Sequence, residues 1–243
     1  QSLNDGMTQY TSNSGTVELR QALSKHLDAI YQVTYDPMTE MVITVGVSEA
    51  LYLALTATLD PGDEVIIPTP CFVSYQAEVT LAGGVPIEIP SHMKDDFQPD
   101  VEAIKAAITP KTKVIFIGYP NNPTGAVASK EILEEIAKIA EEYDLLVISD
   151  EIYDQLVYGV DHVCFSKIPG MKERTILLGG FSKNYAMTGW RLGYALWPDS
   201  LVDAATRLAI NCHSCVNAAT QFAGIAALEG PQDSVHEMVR AFD

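Results

Sequence analysis

The hydrophobic pattern alternates between two periods along the chain. Short runs rich in β-branched residues predict seven strands, at residues 41–45, 64–68, 85–89, 113–118, 145–149, 175–178 and 192–196. Longer stretches with apolar residues at helical spacing predict helices at residues 18–31, 48–59, 73–82, 100–108, 130–143, 200–211 and 218–229. The runs at 113–118 and 145–149 are continuously apolar and joined by one helix, which is typical of strands buried on both faces. We therefore predict an α/β fold with a mostly parallel sheet.

Composition narrows the set of partners. The chain has 15 Lys and Arg residues against 32 Asp and Glu residues, a formal net charge of −17. Affinity for phosphate backbones comes mainly from clustered Lys and Arg, so we expect neither a nucleic acid nor an anionic membrane as partner. No apolar run approaches the roughly 18 residues that a membrane span requires.

The four cysteines are too few for a disulfide scaffold, which favours a reducing, cytoplasmic compartment. Cys212 and Cys215 form the only CxxC pair. Because no second CxxC or HxxxH pair supplies further ligands, we interpret them as structural rather than as a zinc or redox site, and predict no metal. His213, between them, is assigned no role.

No internal repeat and no Gly/Ser linker divides the chain. Pro231 and Gln232 precede a new helical stripe that runs from Val235 to Phe242. We expect one domain over residues 1–230 and the start of a connecting helix over residues 231–243. The chain begins without Met and stops inside that stripe, so we expect a piece of a longer protein.

Unusual residues follow several predicted strands, and ligands collect at the carboxyl ends of parallel strands. After the first strand, Gly46, Val47 and Ser48 form a glycine turn that opens onto a helix. Such a turn presents free amides to an anion, although many α/β turns use Gly and Ser only to cap the helix.

Two further loops can likewise be interpreted either as ligand-binding or as purely structural. Asn121 and Asn122 stand between two prolines, which indicates either a rigid surface loop or an amide fixed toward a ligand. Asp150 ends another strand and Tyr153 follows it, which fits a functional carboxylate and phenol but also a helix cap or a surface charge.

The fourth loop contains Lys183. No Asp or Glu lies between Arg174 and Pro198, although about three would be expected from 32 in 243 residues. Small and aromatic residues surround Lys183, and Arg191 follows at a short distance along the chain. The nearby cation and the lack of local carboxylates both favour a neutral amine, which is the state that a Schiff-base lysine requires. The alternative is a solvated surface lysine.

Together the four loops resemble a known family. The order of G-V-S-E-A-L at 46–51, P-N-N-P-T-G at 120–125, S-D-E-I-Y at 149–153 and F-S-K at 181–183 with Arg191 is similar to class I aminotransferases of fold type I, which depend on pyridoxal 5'-phosphate (PLP). The match runs from Tyr10 to Pro231, and several dispersed motifs in one order are far more specific than any single motif. The resemblance implies a three-layer α/β/α fold with a seven-stranded sheet and transfer of an amino group to a 2-oxo acid.

The resemblance also implies roles around the cofactor ring. Lys183 would hold PLP as a Schiff base and then move the substrate Cα proton as a base. Asp150 would pair with the pyridine nitrogen and keep it protonated. Tyr153 and Asn122 would hydrogen-bond the phenolate oxygen of the ring, and Phe72 would stack on it.

At the cofactor phosphate, the resemblance implies the backbone amides of Val47 and Ser48, the hydroxyl of Ser182 and the guanidinium of Arg191. Tyr10 would reach the phosphate of a neighbouring subunit, which implies a homodimer.

Two departures from the family pattern stand out. Gly180 occupies a position where some relatives have a phosphate-binding serine. The arginine that holds the substrate carboxylate in a C-terminal small domain, and the N-terminal arm over the site, are not in this span. We therefore expect this span alone to be weak or inactive, and its substrate is not readable.

Other functions fit parts of the same pattern. PLP chemistry also supports a β-lyase similar to cystathionine lyase, or an enzyme similar to aminocyclopropane carboxylate synthase. A non-catalytic effector-binding domain, as in some transcriptional regulators, is disfavoured because the chain is acidic and has no basic DNA-binding segment. The remaining alternative is a span that binds the cofactor and does nothing else.

Overall fold

The computed structural model describes residues 1–243, and its centre is one seven-stranded sheet. The strands are β1 (Met41–Thr44), β2 (Glu64–Thr69), β3 (Val85–Pro90), β4 (Thr112–Gly118), β5 (Leu146–Asp150), β6 (Thr175–Gly180) and β7 (Gly193–Leu196). Their order across the sheet is β1-β7-β6-β5-β4-β2-β3. Only β7 runs antiparallel to its neighbours, so the predicted mostly parallel sheet is confirmed.

Eight helices surround the sheet: α1 (Val17–Tyr31), α2 (Val47–Thr58), α3 (Ser74–Leu81), α4 (Val101–Ala106), α5 (Lys130–Glu142), α6 (Asp199–Cys212), α7 (Ala218–Glu229) and α8 (Asp233–Phe242). One apolar cluster joins α2, α3 and α6 to one side of the sheet. Two other clusters join α4 with α5, and α1 with α7, to the opposite side. The three-layer α/β/α arrangement is therefore confirmed.

Alternating strand residues separate the two apolar layers. Val114 and Phe116 of β4 belong to the cluster under α2 and α3, whereas Ile115 and Ile117 belong to the cluster under α5. All four are essentially inaccessible to solvent. Because successive strand side chains point to opposite faces, a continuously apolar run is what a strand covered on both faces requires.

Helix boundaries follow from capping side chains. Asp100 lies outside α4 as its N-cap, and its Oδ1 accepts a hydrogen bond from the amide of Ala103 at 3.0 Å. Ser129 caps α5 in the same way through the amide of Ile132. Since the cap keeps extended backbone angles, α4 begins at Val101, one residue later than the sequence pattern predicted. None of the helices combines the length and apolarity needed to cross a membrane.

Candidate functional site

A cavity of about 210 Å³ opens at one edge of the sheet. Its walls include nine of the ten residues predicted to contact the cofactor: Val47, Ser48, Phe72, Asn122, Asp150, Tyr153, Ser182, Lys183 and Arg191. These residues come from loops that are distant in sequence. The fold therefore brings the four motif loops into one site.

Strand direction explains most of this convergence. Asp150 is the last residue of β5, and it is paired in register with Gly118 at the end of β4. Lys183 follows the end of β6, which is parallel to β5 and adjacent to it. Carboxyl ends of parallel neighbours meet at one edge of a sheet, so Asn122, Asp150 and Lys183 must lie near one another.

The antiparallel strand β7 brings the cationic residue to the same edge. Gly193, the first residue of β7, pairs with Gly180 at the end of β6 and with Thr44 at the end of β1. Arg191, just before β7, therefore lies beside the turn that starts α2. A parallel β7 would have placed its first residue at the opposite edge.

The turn at Gly46 forms an anion-binding corner. Gly46 has φ +81°, and a Cβ atom built there would lie 2.4 Å from Nη2 of Arg191. The guanidinium is held by a hydrogen bond from Nη1 to the carbonyl of Thr188 at 2.9 Å. The first amides of α2, including Val47 and Ser48, have no acceptor within the helix. Free amides, a helix N-terminus and a guanidinium at one point suit a phosphate.

Glu49 is the one acidic residue in the first turn of α2, and both of its carboxylate oxygens have partners within the chain. Oε2 of Glu49 accepts a hydrogen bond from the amide of Val45, and Oε1 lies 2.6 Å from Nδ1 of His213. His213, to which the sequence assigned no role, thus joins the end of α6 to the start of α2. The carboxylate of Glu49 is held by these partners at the start of the helix.

Asp150 supplies a buried carboxyl group to the site. Its side chain is only 6% exposed. Oδ2 accepts a hydrogen bond from the hydroxyl of Tyr75 at 2.9 Å, and Oδ1 accepts one from the amide of Ile152 at 3.1 Å. Burial raises the pKa of Asp150 to about 6, against the opposing effects of these two hydrogen bonds and of the positive charge on Lys183.

Tyr75 is a site residue that the sequence reasoning missed. Its ring packs against Phe116, with centroids 4.1 Å apart, and meets the Phe72 ring edge-on at 5.8 Å. A Cβ atom on Gly118 would lie 2.6 Å from the Tyr75 hydroxyl, so the glycine leaves room for this contact with the sheet. The available signal was position: Tyr75 lies in the first turn of α3, three residues after Phe72, which precedes the helix.

The two asparagines of the P-N-N-P loop have different roles. Nδ2 of Asn121 donates to the carbonyls of Pro70 and Gly118, and its Oδ1 accepts from the amide and hydroxyl of Thr124. Asn121 therefore fixes the loop. Asn122 lines the cavity and makes no side-chain hydrogen bond within the chain, which leaves its amide available to a ligand.

Lys183 faces the cavity from a loop that is anchored on its far side. Nζ of Lys183 lies 5.3 Å from the centroid of the Tyr153 ring. The next residue, Asn184, is buried and donates from Nδ2 to Oδ1 of Asp154 at 2.5 Å. Oδ2 of Asp154 accepts from the hydroxyl of Tyr31 at 2.6 Å. The lysine loop is thus tied to α1 and to the turn after β5.

Four other residues singled out in the sequence lie outside the cavity. Tyr10 is 90% exposed, as a side chain that contacts another subunit could be. A Cβ atom on Gly180 would lie 3.1 Å from the backbone of Leu192 and Gly193, so a serine there would be tightly packed. Cys212 and Cys215 are free thiols, and no cluster of three or more His, Cys, Asp or Glu side chains is arranged to hold a metal ion.

The residues of the cavity fit PLP. The phosphate corner at Gly46 offers backbone amides and Arg191, and its glycine leaves the space that the guanidinium fills. The cavity also contains a buried carboxylate, that of Asp150, which suits a protonated ring nitrogen. Its other lining groups include the amine of Lys183, the phenol of Tyr153 and the aromatic ring of Phe72. The side-chain amide of Asn122 lines it too and has no partner within the chain.

Comparison with known proteins agrees with this geometry. The family model described as aminotransferase class I and II matches residues 1–243. An aspartate aminotransferase of Bacillus sp. (strain YM-2) is 43% identical over 244 residues, which cover 100% of this chain and 62% of that protein. Aromatic-amino-acid aminotransferase 2 of Thermococcus litoralis is 41% identical over 246 residues, which cover 100% of this chain and 63% of that protein.

Among solved structures, the aromatic aminotransferase from Pyrococcus horikoshii OT3 matches with a TM-score of 0.96 at 40% identity, covering 98% of this chain and 65% of that one. The chain therefore spans about 62% of the length of the curated relatives it matches. Because the family model covers the whole chain and the motif loops meet in one cavity, the chain belongs to the class I and II aminotransferases, whose cofactor is PLP.

Proposed function

We propose that the full-length protein transfers the amino group of an amino acid to a 2-oxo acid with PLP as cofactor. The observation that supports this most strongly is the single cavity that contains Lys183, Asp150 and the anion-binding corner at Gly46. An amine, a buried carboxylate and a phosphate site are the three groups that this cofactor requires. The activity is proposed for the whole protein, since this chain spans only about 62% of the length of its relatives.

Two residues perform the proton chemistry. Lys183 would hold the cofactor covalently and, once the substrate amine has displaced it, would move the proton at the substrate Cα. Asp150 would carry a negative charge beside the ring nitrogen and keep that nitrogen protonated. When bound, PLP supplies an electron sink for the Cα carbanion.

The other lining residues orient the cofactor. Asn122 and Tyr153 donate hydrogen bonds to the phenolate oxygen of the ring, and Phe72 stacks on the ring face. Four groups bind the phosphate: the amides of Val47 and Ser48, the hydroxyl of Ser182 and the guanidinium of Arg191.

We also propose a homodimer in which the exposed Tyr10 reaches the phosphate of the neighbouring subunit. Residues 1–230 form the cofactor-binding domain, and α8 begins the connection to a further domain. All four cysteines are free, which supports a reducing, cytoplasmic location. Relatives named for aspartate and for aromatic amino acids make these the first amino donors to test.

A single-turnover experiment tests the proposal. Full-length protein loaded with PLP is mixed with aspartate, tyrosine or glutamate without a 2-oxo acid. We expect one equivalent of 2-oxo acid and conversion of the cofactor to pyridoxamine phosphate. Lys183→Ala should abolish both, whereas Lys138→Ala, at an exposed position of α5, should not.

A different product would favour the second candidate class. Release of pyruvate and ammonia from cysteine or cystathionine, without pyridoxamine phosphate, would replace the transaminase by a β-lyase. Retention of a covalently bound cofactor by Lys183→Ala would contradict the role of Lys183.

A further inference from the structure

A buried histidine contacts the first turn of α2, and the proposed function does not use it. His213 follows the last residue of α6, and its side chain is only 8% exposed. Nδ1 lies 2.6 Å from Oε1 of Glu49, whereas Nε2 is inaccessible to solvent and has no hydrogen-bond partner. Glu49 is therefore the only polar partner of the ring. An imidazole that is buried for a single polar contact needs an explanation at that contact.

The direction of this hydrogen bond follows from the chemistry of the pair. A carboxylate can only accept, so Nδ1 of His213 is the donor whether the ring is neutral or charged. The Glu49 side chain is 14% exposed, so both partners are largely removed from water. Hydrogen bonds to a charged group are stronger than neutral ones, and removing one partner of a buried pair is costly. The contact therefore fixes the position of the Glu49 carboxylate.

The second oxygen of this carboxylate fixes the turn at Gly46. Oε2 of Glu49 accepts a hydrogen bond from the amide of Val45 at 2.6 Å. Thr44 adds a bond from its Oγ1 to the carbonyl of Gly46 at 2.9 Å. Both bonds hold the backbone immediately before the free amides of α2. The geometry of the turn thus depends on where the Glu49 carboxylate lies.

The same carboxylate could occupy the anion-binding corner if it were released. Glu49 belongs to the first turn of α2, the turn beside which the guanidinium of Arg191 lies. Negative side chains are stabilised at a helix N-terminus and by a neighbouring cation, which are the same groups that suit a phosphate. In the structure, Glu49 is bonded to Val45 and His213 instead, and Arg191 donates to the carbonyl of Thr188.

We propose that His213 is a positioning residue for the cofactor phosphate. It holds the Glu49 carboxylate against the amide of Val45, so that this carboxylate stabilises the Gly46 turn and leaves Arg191 and the amides of α2 open to the phosphate. The inference deepens the proposed function and rests on it. His213 does not line the cavity, so it acts through Glu49 and not by contact with the cofactor.

The first test compares His213→Ala, His213→Asn and the control His92→Ala in the full-length protein. Asparagine places an amide donor near the position of Nδ1, and His92 is exposed between β3 and α4. Dissociation constants are measured for PLP and for pyridoxal, which has no phosphate. We expect His213→Ala to weaken PLP binding roughly tenfold and pyridoxal binding less than about twofold. Both His213→Asn and His92→Ala should stay within about threefold of wild type for PLP.

A double variant tests whether the released carboxylate competes with phosphate. Glu49→Gln in the His213→Ala background removes the negative charge and keeps an oxygen that can accept from the amide of Val45. It should therefore recover part of the PLP affinity lost in His213→Ala. A double variant that binds PLP no better than His213→Ala overturns the proposal, as do equal losses for PLP and pyridoxal in His213→Ala.

Cofactor-free protein gives measurements that do not depend on the proposed function. Hydrogen exchange at the Val45 amide should be roughly tenfold faster in His213→Ala, and affinity for inorganic phosphate should fall, whereas His92→Ala should change neither. Unchanged exchange at Val45 overturns the proposal. If His213→Ala does not fold, His213→Gln replaces it, because its longer side chain moves the donor away from Glu49.

The outcome for the cofactor is separate. Failure of the wild-type protein to bind PLP would contradict the proposed function, and exchange of the Val45 amide and phosphate affinity would still decide the role of His213.

Discussion

The Tyr75 hydroxyl, on α3, donates a hydrogen bond of 2.9 Å to Oδ2 of Asp150, the last residue of β5. This bond and the Ile152 amide fix both carboxyl oxygens, so the plane of the carboxylate is set before any ligand arrives. Both bonds favour the charged form, whereas burial favours the neutral form. Tyr75 therefore controls both the orientation and the charge of Asp150.

Tyr75→Phe removes the hydroxyl and keeps the ring that packs on Phe116. A hydrogen bond to a charged group contributes about 1.5–3 kcal/mol, so we expect PLP affinity to fall by roughly tenfold or more and the pKa of Asp150 to rise. Equilibrium binding of PLP and ¹³C titration of Asp150 measure the two effects. Tyr143→Phe, on the exposed surface after α5, is the control, and equal affinity in the two variants would contradict the role of Tyr75.

Gly46→Ala tests the anion-binding corner. Its φ of +81° disfavours a side chain, and the new Cβ would displace Nη2 of Arg191. Gly62→Ala is a matched control, because Gly62 has φ +93° and open space around it. We expect both variants to lose stability by about 1 kcal/mol or more, measured by urea unfolding.

Only Gly46→Ala should also weaken PLP binding, by roughly tenfold or more, because it moves a charge-assisted contact away from the phosphate. Affinity for PLP is compared with affinity for pyridoxal, which has no phosphate. A loss that is the same for both ligands would show that the corner does not bind the phosphate.

Asn184→Ala tests the support of the lysine loop. The variant leaves buried Oδ1 of Asp154 without the Asn184 donor, so we expect the free energy of unfolding to fall by about 1–3 kcal/mol. Covalent attachment of PLP to Lys183, trapped by borohydride reduction, should also slow. Asn211→Ala, which removes an exposed hydrogen bond on α6, should change neither quantity. If the Asn184→Ala protein is destabilised but still attaches PLP at the normal rate, Asn184 stabilises the fold without orienting Lys183.

The raised pKa of Asp150 makes the cofactor-free protein sensitive to pH. Folding moves this pKa from 3.8 to about 6, so between those values the native state holds a proton that the unfolded state has lost. The free energy of unfolding contributed by Asp150 therefore falls as pH rises from about 4 to about 6, and is constant outside that window. Urea unfolding of wild type and Asp150→Asn at pH 4, 5 and 7 measures this difference. A difference independent of pH would contradict the shift.

The seven strands and the positions of Lys183, Asp150 and Asn122 at their ends followed from local pattern. A continuously apolar run specifies a strand covered on both faces, and the carboxyl ends of such strands meet. The resemblance of the four loops to a family then assigned roles, and the structure brings nine of those ten residues into one cavity. The roles at single residues and the reach of Tyr10 to a second subunit remain predictions.

The tertiary structure alone decided how residues from different elements meet. Spacing placed Tyr75 and Glu78 on a helix, but only the packing of α3 on the sheet brings the Tyr75 hydroxyl to Asp150 and Glu78 to the wall of the same cavity. Likewise, only three-dimensional packing separates Asn121, whose hydrogen bonds are used within its loop, from Asn122, which is free. Local sequence determines which backbone forms each element, whereas burial, hydrogen-bond partners and proton affinity depend on neighbours that are remote along the chain.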